Sequence, residues 1–159
     1  MKRTDEDWMR EAIMEAEQAF AEDEVPVGAV IVCNDRIIGR GHNQTERLTD
    51  VTAHAEMMAI TAAQENLGGR VLPECTLYVT VEPCYMCAGA IGWARFGRIV
   101  WGADDPKRGF HSYYGGISPL HPDLIIISLG TNEAFGKSVD KISLYASIDR
   151  LVRSVIVSN

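Results

Sequence analysis

The sequence predicts an α/β protein: a three-layer α/β/α sandwich in which helices cover both faces of a five-stranded mixed sheet. Helical and strand-like segments alternate from the first hairpin onward, which is the order expected of a sheet covered by helices. A chain of 159 residues also suits one domain with a single sizeable core. We therefore expect residues 1–159 to form one domain.

The first part of the chain predicts a helix followed by a hairpin. Residues 7–22 repeat apolar side chains at helical spacing with acidic residues between them. Two β-branched runs, at 27–32 and 37–41, flank Asn34 and Asp35, a pair typical of tight hairpin turns.

A second helix is predicted to begin at a Thr52 cap and to end at about residue 66, before two glycines at 68 and 69. The later elements are expected, in order, as strand 76–80, helix 84–95, strand 98–102, a loop over 104–123, strand 124–128 and a closing helix within 139–155.

Composition excludes several classes of protein. No run of apolar residues is long enough to span a bilayer, so no membrane association is expected. The first seven residues lack the apolar core of a secretory signal peptide and turn acidic, and we expect a cytoplasmic protein. In a reducing compartment the four cysteines are core residues, catalytic groups or metal ligands rather than a disulfide framework.

The net charge of −7 argues at first against a nucleic-acid partner. The acidity is uneven, however, because residues 1–50 carry 6 basic and 12 acidic side chains whereas residues 101–159 carry 6 of each. A local basic rim near the predicted site therefore remains compatible with RNA binding that depends strongly on salt. Its expected members are Arg95, Arg98, Lys107 and Arg108.

Three residues have the spacing of a zinc site. Cys84 and Cys87 lie one helical turn apart at a predicted helix N-terminus, which favours thiolates, and His54 lies at the start of the preceding helix. Both helices follow segments that end near the same edge of the sheet, so their N-termini can converge. Three protein ligands leave one tetrahedral position open, which is the arrangement of a catalytic zinc.

A structural zinc site is the alternative, and it would need a fourth protein ligand. The available donors are Cys33, Cys75, His42, His111 and His121. We interpret Cys33 and Cys75 instead as small apolar core residues at strands.

Glu56 follows His54 by two residues, so it should not be a ligand and is placed to shuttle protons. The combined pattern, His-x-Glu followed by Pro-Cys-x-x-Cys, is the signature of zinc deaminases that act on nucleobases.

Other segments extend the pattern. They are Glu-Val-Pro-Val-Gly-Ala-Val at 24–30, Gly-His-Asn at 41–43, Thr-Ala-His-Ala-Glu at 52–56, Thr-Leu-Tyr-Val-Thr-Val-Glu-Pro-Cys at 76–84 and Gly-Ala-Asp-Asp-Pro-Lys at 102–107. In this order the chain resembles bacterial tRNA-specific adenosine deaminases, of the zinc-dependent cytidine/deoxycytidylate deaminase superfamily, from about residue 8 to residue 122. The resemblance implies a cytidine deaminase-like fold.

The resemblance also implies an activity: hydrolytic deamination of adenosine to inosine at the wobble position of tRNA, with release of ammonia. It implies one Zn²⁺ per subunit on His54, Cys84 and Cys87, Glu56 as general acid and base, an anticodon stem-loop as partner, and a homodimer. The implied substrate contacts are Asn43 and the Ala55 N–H with the base, Pro26 and Val27 lining its pocket, Asp105 with the ribose, and Lys107 with a phosphate.

The chain departs from the family pattern in its last part, and we treat residues 126–159 as an atypical C-terminal segment. Family members usually carry a Phe-Phe pair and a basic tail that helps to hold RNA, whereas here no Phe-Phe pair is present and the last three residues are Val-Ser-Asn. Two other functions therefore stay open: deamination of a free nucleobase or nucleoside, of guanine or cytosine type, and a zinc-binding module that only binds nucleic acid.

Overall fold

The acidic N-terminal segment forms a capped helix. In the computed structural model, which describes residues 3–110 and the strand at 124–126, helix α1 covers Asp5–Ala21. The Thr4 hydroxyl accepts the Asp7 N–H while the Asp7 carboxylate accepts the Thr4 N–H, so the two residues form a capping box. The helix begins two residues before the predicted start because this cap lies upstream of the first apolar residue.

The predicted hairpin is confirmed. Strand β1 covers Gly28–Cys33 and strand β2 covers Arg36–His42, paired antiparallel. Asn34 and Asp35 join them with φ of 49° and 61°. Two successive positive φ angles give the turn a twist that matches the twist of the flanking strands.

The segment after the hairpin holds a helix that the sequence did not predict, α2 at Thr45–Leu48. Helix α3 covers Ala55–Leu67 with His54 at its N-cap position, so the predicted cap at Thr52 is wrong. Thr52 instead bonds Asp50 in the preceding turn. Gly68 ends α3 with φ of 66°, as predicted from the two glycines.

The remaining described elements are strand β3 at Cys75–Val81, helix α4 at Tyr85–Ala94, strand β4 at Arg98–Ala103 and strand β5 at Leu124–Ile126. The sheet has the order β2-β1-β3-β4-β5, in which β1 is antiparallel to both neighbours and the last three strands are parallel. The predicted five-stranded mixed sheet is therefore confirmed. The predicted helix within 139–155 lies outside the described residues.

Helices cover both faces of the sheet. Val30 and Val32 of β1 pack under α1 together with Trp8 and Ile13, in one apolar cluster. The alternate residues of β1 belong to a second cluster, which includes residues of α3 and α4. Successive side chains of a strand point to opposite faces of the sheet, so α1 covers one face and α3 and α4 cover the other. This arrangement confirms the three-layer sandwich.

Helix α3 lies very close to β2 at the end of the strand that faces the site. A Cβ atom added at Gly41 would collide with the carbonyl oxygen of Ala55 and would lie 2.6 Å from the backbone nitrogen of Ala59. Only glycine fits this contact, which brings the end of β2 against the first turn of α3. None of the helices in the described part of the chain has the length and apolar content that a bilayer span requires.

Candidate active site

The three predicted metal ligands converge in the structure. His54 is the residue before α3 and Cys84 the residue before α4, whose first turn contains Cys87. His54 Nδ1 lies 3.6 Å from Cys84 Sγ and 3.5 Å from Cys87 Sγ. All three donor atoms lie within 4.8 Å of one another.

These distances fit a zinc ion. A tetrahedral Zn²⁺ with bonds of about 2.3 Å to sulfur and about 2.05 Å to nitrogen holds the two donors about 3.5–3.6 Å apart. The observed separations of 3.6 and 3.5 Å fall in that range. One imidazole and two thiolates are also a donor set that suits zinc. His54 would therefore bind through Nδ1, and the two cysteines through Sγ.

The pKa values of the two cysteine thiols are shifted in opposite directions. The Cys87 thiol donates to Cys84 and lowers the pKa of Cys84 to about 4, with help from His54 and against the effect of burial. The same interaction and burial raise the pKa of Cys87. The site thus already favours an anionic sulfur, which a zinc ion requires.

No fourth His, Cys, Asp or Glu joins this group among residues 3–110. Cys33 and Cys75 are opposite each other on β1 and β3, at the far end of the sheet, and Cys75 is buried in the core. His42 instead lies within hydrogen-bond distance of Glu22. His111 and His121 lie outside the described residues. This geometry favours the open, catalytic arrangement over the structural one.

Glu56 is the second residue of α3, and it is buried with 3% of its surface exposed. Burial, with a smaller contribution from the neighbouring charge of Cys84, raises the pKa of its carboxyl group to about 7. The carboxyl also contacts Cys87. At neutral pH both protonation states of Glu56 are therefore populated, which is what a group that both accepts and donates protons needs.

The predicted pocket residues before β1 and after β2 are joined to the segment that precedes His54. The Asn43 N–H donates to the carbonyl oxygen of Val27 at 3.1 Å, and the Gln44 N–H donates to that of Ala53 at 2.9 Å. The loop after β2 is thereby joined to the residue before the histidine. Asn43 is 5% exposed, whereas Pro26 and Val27 are half-buried. Ala55 is fully buried, and as the first residue of α3 its N–H has no helical partner.

The loop after β4 closes over the start of α4. The Phe110 N–H donates to the carbonyl oxygen of Pro83 at 2.9 Å, and the Asp105 N–H donates to Glu82 Oε2 at the same distance. Asp105 Oδ1 accepts the N–H groups of Lys107 and Arg108, both at 3.0 Å. One oxygen of the predicted ribose contact is thus occupied in shaping this loop.

Two predicted members of the basic rim, Arg98 and Arg95, do not lie at the site. Arg98 begins β4, opposite Thr76 at the start of β3, and its guanidinium binds Asp5 of α1. Arg95 follows the last turn of α4, whose first turn carries the ligands. The rim reduces to the exposed Lys107 and Arg108, because only these lie at the site end of the sheet.

Three more charged residues lie at the site, and one of them, Arg108, is a predicted member of the basic rim. Arg108 is close enough to His54 to affect the pKa of the imidazole. Glu82 is buried and anchors Asp105, and Glu24 is buried and binds Asn43. For Glu82 the available signal was an acidic residue directly after a mostly apolar strand, since an unpaired buried charge is costly. Glu24 follows Glu22 and Asp23, so no such signal distinguished it.

Residues 2–103 match the sequence profile of the cytidine and deoxycytidylate deaminase zinc-binding region. The chain belongs to this family. A curated relative, a tRNA-specific adenosine deaminase of Agrobacterium fabrum, is 53% identical over 102 residues, which are 64% of this chain and 67% of the relative. The first bacterial relatives are matched over 60–67% of their length.

Solved structures of this deaminase family share the fold. A protein from a study of A-to-I editing by tRNA:A34 deaminases superposes with a TM-score of 0.69 at 45% identity, over 76% of this chain and 90% of that one. A guanine deaminase from Bacillus subtilis superposes with a TM-score of 0.64 at 28% identity, over 87% and 99% of the two chains. The predicted deaminase fold is thereby confirmed.

Proposed function

We propose that this protein is a zinc-dependent hydrolase that converts adenosine to inosine at the wobble position of a tRNA anticodon stem-loop. The observation that carries the proposal is the buried Glu56 beside three converging zinc donors, in a chain 53% identical over 102 residues to a tRNA-specific adenosine deaminase. Bases in an anticodon loop can leave the stack at low cost, so such a base can enter an enclosed site.

The reaction replaces the exocyclic amine of adenine by oxygen from water and releases ammonia. Zinc, when bound, supplies the Lewis acidity that makes water nucleophilic at neutral pH. Glu56 takes one proton from the attacking water and gives it to the ring nitrogen. It then takes the remaining proton from the new hydroxyl group on the ring and gives it to the amine, so that the C–N bond breaks, the carbonyl of inosine forms and ammonia leaves. A pKa of about 7 suits both tasks, because the carboxyl gains and loses a proton at similar cost.

The substrate contacts belong to the same proposal. Asn43 and the Ala55 N–H would bind the base, and Pro26 and Val27 would line its pocket. Asp105 would contact the ribose through the oxygen that does not hold the loop, and Lys107 would bind a neighbouring phosphate. Lys107 and Arg108 are the cationic side chains exposed on this loop, which supports a weak, salt-dependent contact with RNA.

The substrate class is tested by direct turnover. The zinc-loaded protein should release ammonia and form inosine from an anticodon stem-loop with adenosine at the wobble position, and should leave the same loop with guanosine there unchanged. Free guanine, cytosine and adenosine serve as parallel substrates. Ammonia from a free base alone would contradict the tRNA assignment.

Deamination of a free base is the second candidate, and the guanine deaminase fold over 87% of this chain favours it. The assay above separates the two. A non-catalytic zinc module is less well supported, because a buried carboxyl with a raised pKa beside the donors has no use in a merely structural site.

We further propose a homodimer, and the groove between α3 and α4 as its interface. Ile60, Ala90 and Val71 line this groove, and Trp93 at its edge is 85% exposed. An exposed tryptophan on an apolar groove is typical of protein interfaces.

Trp93→Glu should convert a dimer into a monomer, because a charge buried at an interface without a partner is unfavourable. Molar mass measured by light scattering during gel filtration tests this. Met14→Glu, at a side chain 59% exposed on α1, is the matched control and should leave the mass unchanged. A Trp93→Glu protein that keeps the mass of the dimer would place the interface elsewhere.

Two further parts of the proposal concern the whole chain. Residues 1–159 would form one deaminase domain, with 126–159 as its atypical end, of which residues 127–159 lie outside the described residues. The protein would act in the cytoplasm, where its tRNA substrate would be found.

A further inference from the structure

The buried carboxylate of Glu24 has no role in the reaction described above. Glu24 lies in the segment between α1 and β1, and 5% of its surface is exposed. A charged group so far removed from water needs several hydrogen-bond donors, because its desolvation is expensive.

Those donors come from the loop and short helix that follow β2. Glu24 Oε1 accepts the backbone N–H of Arg47 at 2.8 Å. Glu24 Oε2 accepts the Thr45 hydroxyl and the side-chain amide of Asn43, both at 3.2 Å. Burial by itself would raise the pKa of Glu24, but these donors hold it below its usual value, so the group is an anion at neutral pH.

The second hydrogen of the Asn43 amide is also occupied. Asn43 Nδ2 donates to Thr45 Oγ1 at 3.1 Å as well as to Glu24. The threonine hydroxyl gives its own hydrogen to Glu24, so towards Asn43 it can only accept. Both neighbours of Nδ2 are therefore acceptors, and the amide has one permitted orientation.

This orientation determines what Asn43 presents to the site. Asn43 Oδ1 has no hydrogen-bond partner among the described residues. In the same residues, every fully buried side-chain oxygen or nitrogen has a partner, so Oδ1 is not fully buried and contacts solvent. Asn43 thus offers an acceptor, fixed in place, beside the loop that carries His54.

We propose that Glu24 is a positioning residue: with Thr45, it fixes the side-chain amide of Asn43 so that Oδ1 accepts a hydrogen bond from the substrate. The proposal rests on the proposed function, in which Asn43 contacts the target nucleotide. The substrate group that meets Oδ1 must be a donor, either an amine of the base or a ribose hydroxyl. Without the anion at residue 24, the amide can turn over and present its NH₂ group instead.

Glu24→Gln tests this role, because the substitution keeps the shape of the side chain almost unchanged. The glutamine NH₂ group can donate to Asn43 Oδ1, which permits the reversed orientation of the Asn43 amide. We expect kcat/KM on the stem-loop to fall about 10-fold or more, as for a lost hydrogen bond with the donor left unpaired. Zinc content and Tm should stay near those of the wild type. A stem-loop with 2′-deoxyadenosine at the target position shows which substrate group donates to Oδ1. If Glu24→Gln still lowers kcat/KM on this stem-loop, the donor is the amine of the base; if it no longer does, the donor is the 2′-hydroxyl.

Combining Glu24→Gln with Asn43→Ala shows whether Glu24 acts on kcat/KM through Asn43 or only supports the fold. If Glu24 acts through Asn43, the double variant should be no slower than Asn43→Ala alone, whereas independent effects would multiply and overturn the proposal. Glu22→Gln is the matched control. It removes the same charge from a carboxylate that also binds Arg47 but not Asn43, and it should leave kcat/KM unchanged.

Failure of this inference can be distinguished from failure of the proposed function. The wild-type protein on the stem-loop reports on the function, whereas the side-chain amide of Asn43, followed by ¹⁵N NMR, reports on the orientation without any turnover. Its protons should exchange slowly with water in the wild type and in Glu22→Gln, and faster in Glu24→Gln. Equal exchange in all three proteins would refute the role of Glu24 even if the enzyme is active.

Discussion

Glu56→Gln should leave zinc bound and reduce turnover by about 10²–10⁴-fold, the usual contribution of a positioned general acid and base. Glutamine keeps the size of the side chain but can neither take a proton from water nor return one to the departing amine. The residue is not one of the three converging donors, so metal binding does not depend on it. Ammonia release under saturating substrate, with zinc measured by atomic emission on the same sample, tests both parts.

The control for this experiment lies on the same helix. Glu65 is exposed near the end of α3, and Glu65→Gln should behave as the wild type. The Glu56→Gln protein should also be at least as stable as the wild type to heat, because burial of the carboxyl group is unfavourable, as its raised pKa shows. Turnover that survives in Glu56→Gln would remove this residue as the proton carrier.

Cys87→Ala should abolish stoichiometric zinc binding and, with it, deamination. Loss of a residue that merely supports a metal ligand weakens binding about 10–100-fold, so loss of a ligand should weaken it further. Cys87 is fully buried and lies 3.5 Å from His54 Nδ1, so no solvent-exposed donor can easily replace it. Zinc content after gel filtration, together with a competition titration against a chelator, measures the loss.

Cys75→Ala is the matched control, because Cys75 is also a buried thiol but lies at the opposite end of β3. It should keep one zinc per chain, and so should Cys33→Ser on the neighbouring strand. If either variant lost zinc while Cys87→Ala retained it, the ligand set proposed for this site would be wrong.

Local patterns predicted most of the fold, and the errors have a common origin. The Asn34–Asp35 turn and the Gly68 end of α3 depend on backbone conformations that a few neighbouring residues determine, and both are confirmed. Threonine is a favourable capping residue, which predicts a cap of α3 at Thr52, but the helix begins after His54. The first turn of α3 packs against β2 at Gly41, and no local propensity contains such a contact between distant residues.

At the site, too, features set by neighbouring residues were predicted, and contacts between distant residues were not. The spacing of Cys84 and Cys87 places both sulfurs at one helix N-terminus, a property of adjacent residues that the sequence displays directly. Its charge and its closeness to the loop in sequence predict that Arg98 belongs to the basic rim. It belongs to the far end of the sheet, because a strand separates it from that loop, and there it binds Asp5.

The sequence by itself determined the described elements other than α2, their order and the chemical nature of the site, because helical and strand periodicity, turn residues and ligand spacing act over a few residues. The tertiary structure alone decided which distant groups meet. It brought His54 within 3.6 Å of Cys84, gave Glu56 a pKa of about 7 by burial, and placed Glu24 against Asn43. Distance and burial depend on how the layers pack, and the side chains that create them are far apart along the chain.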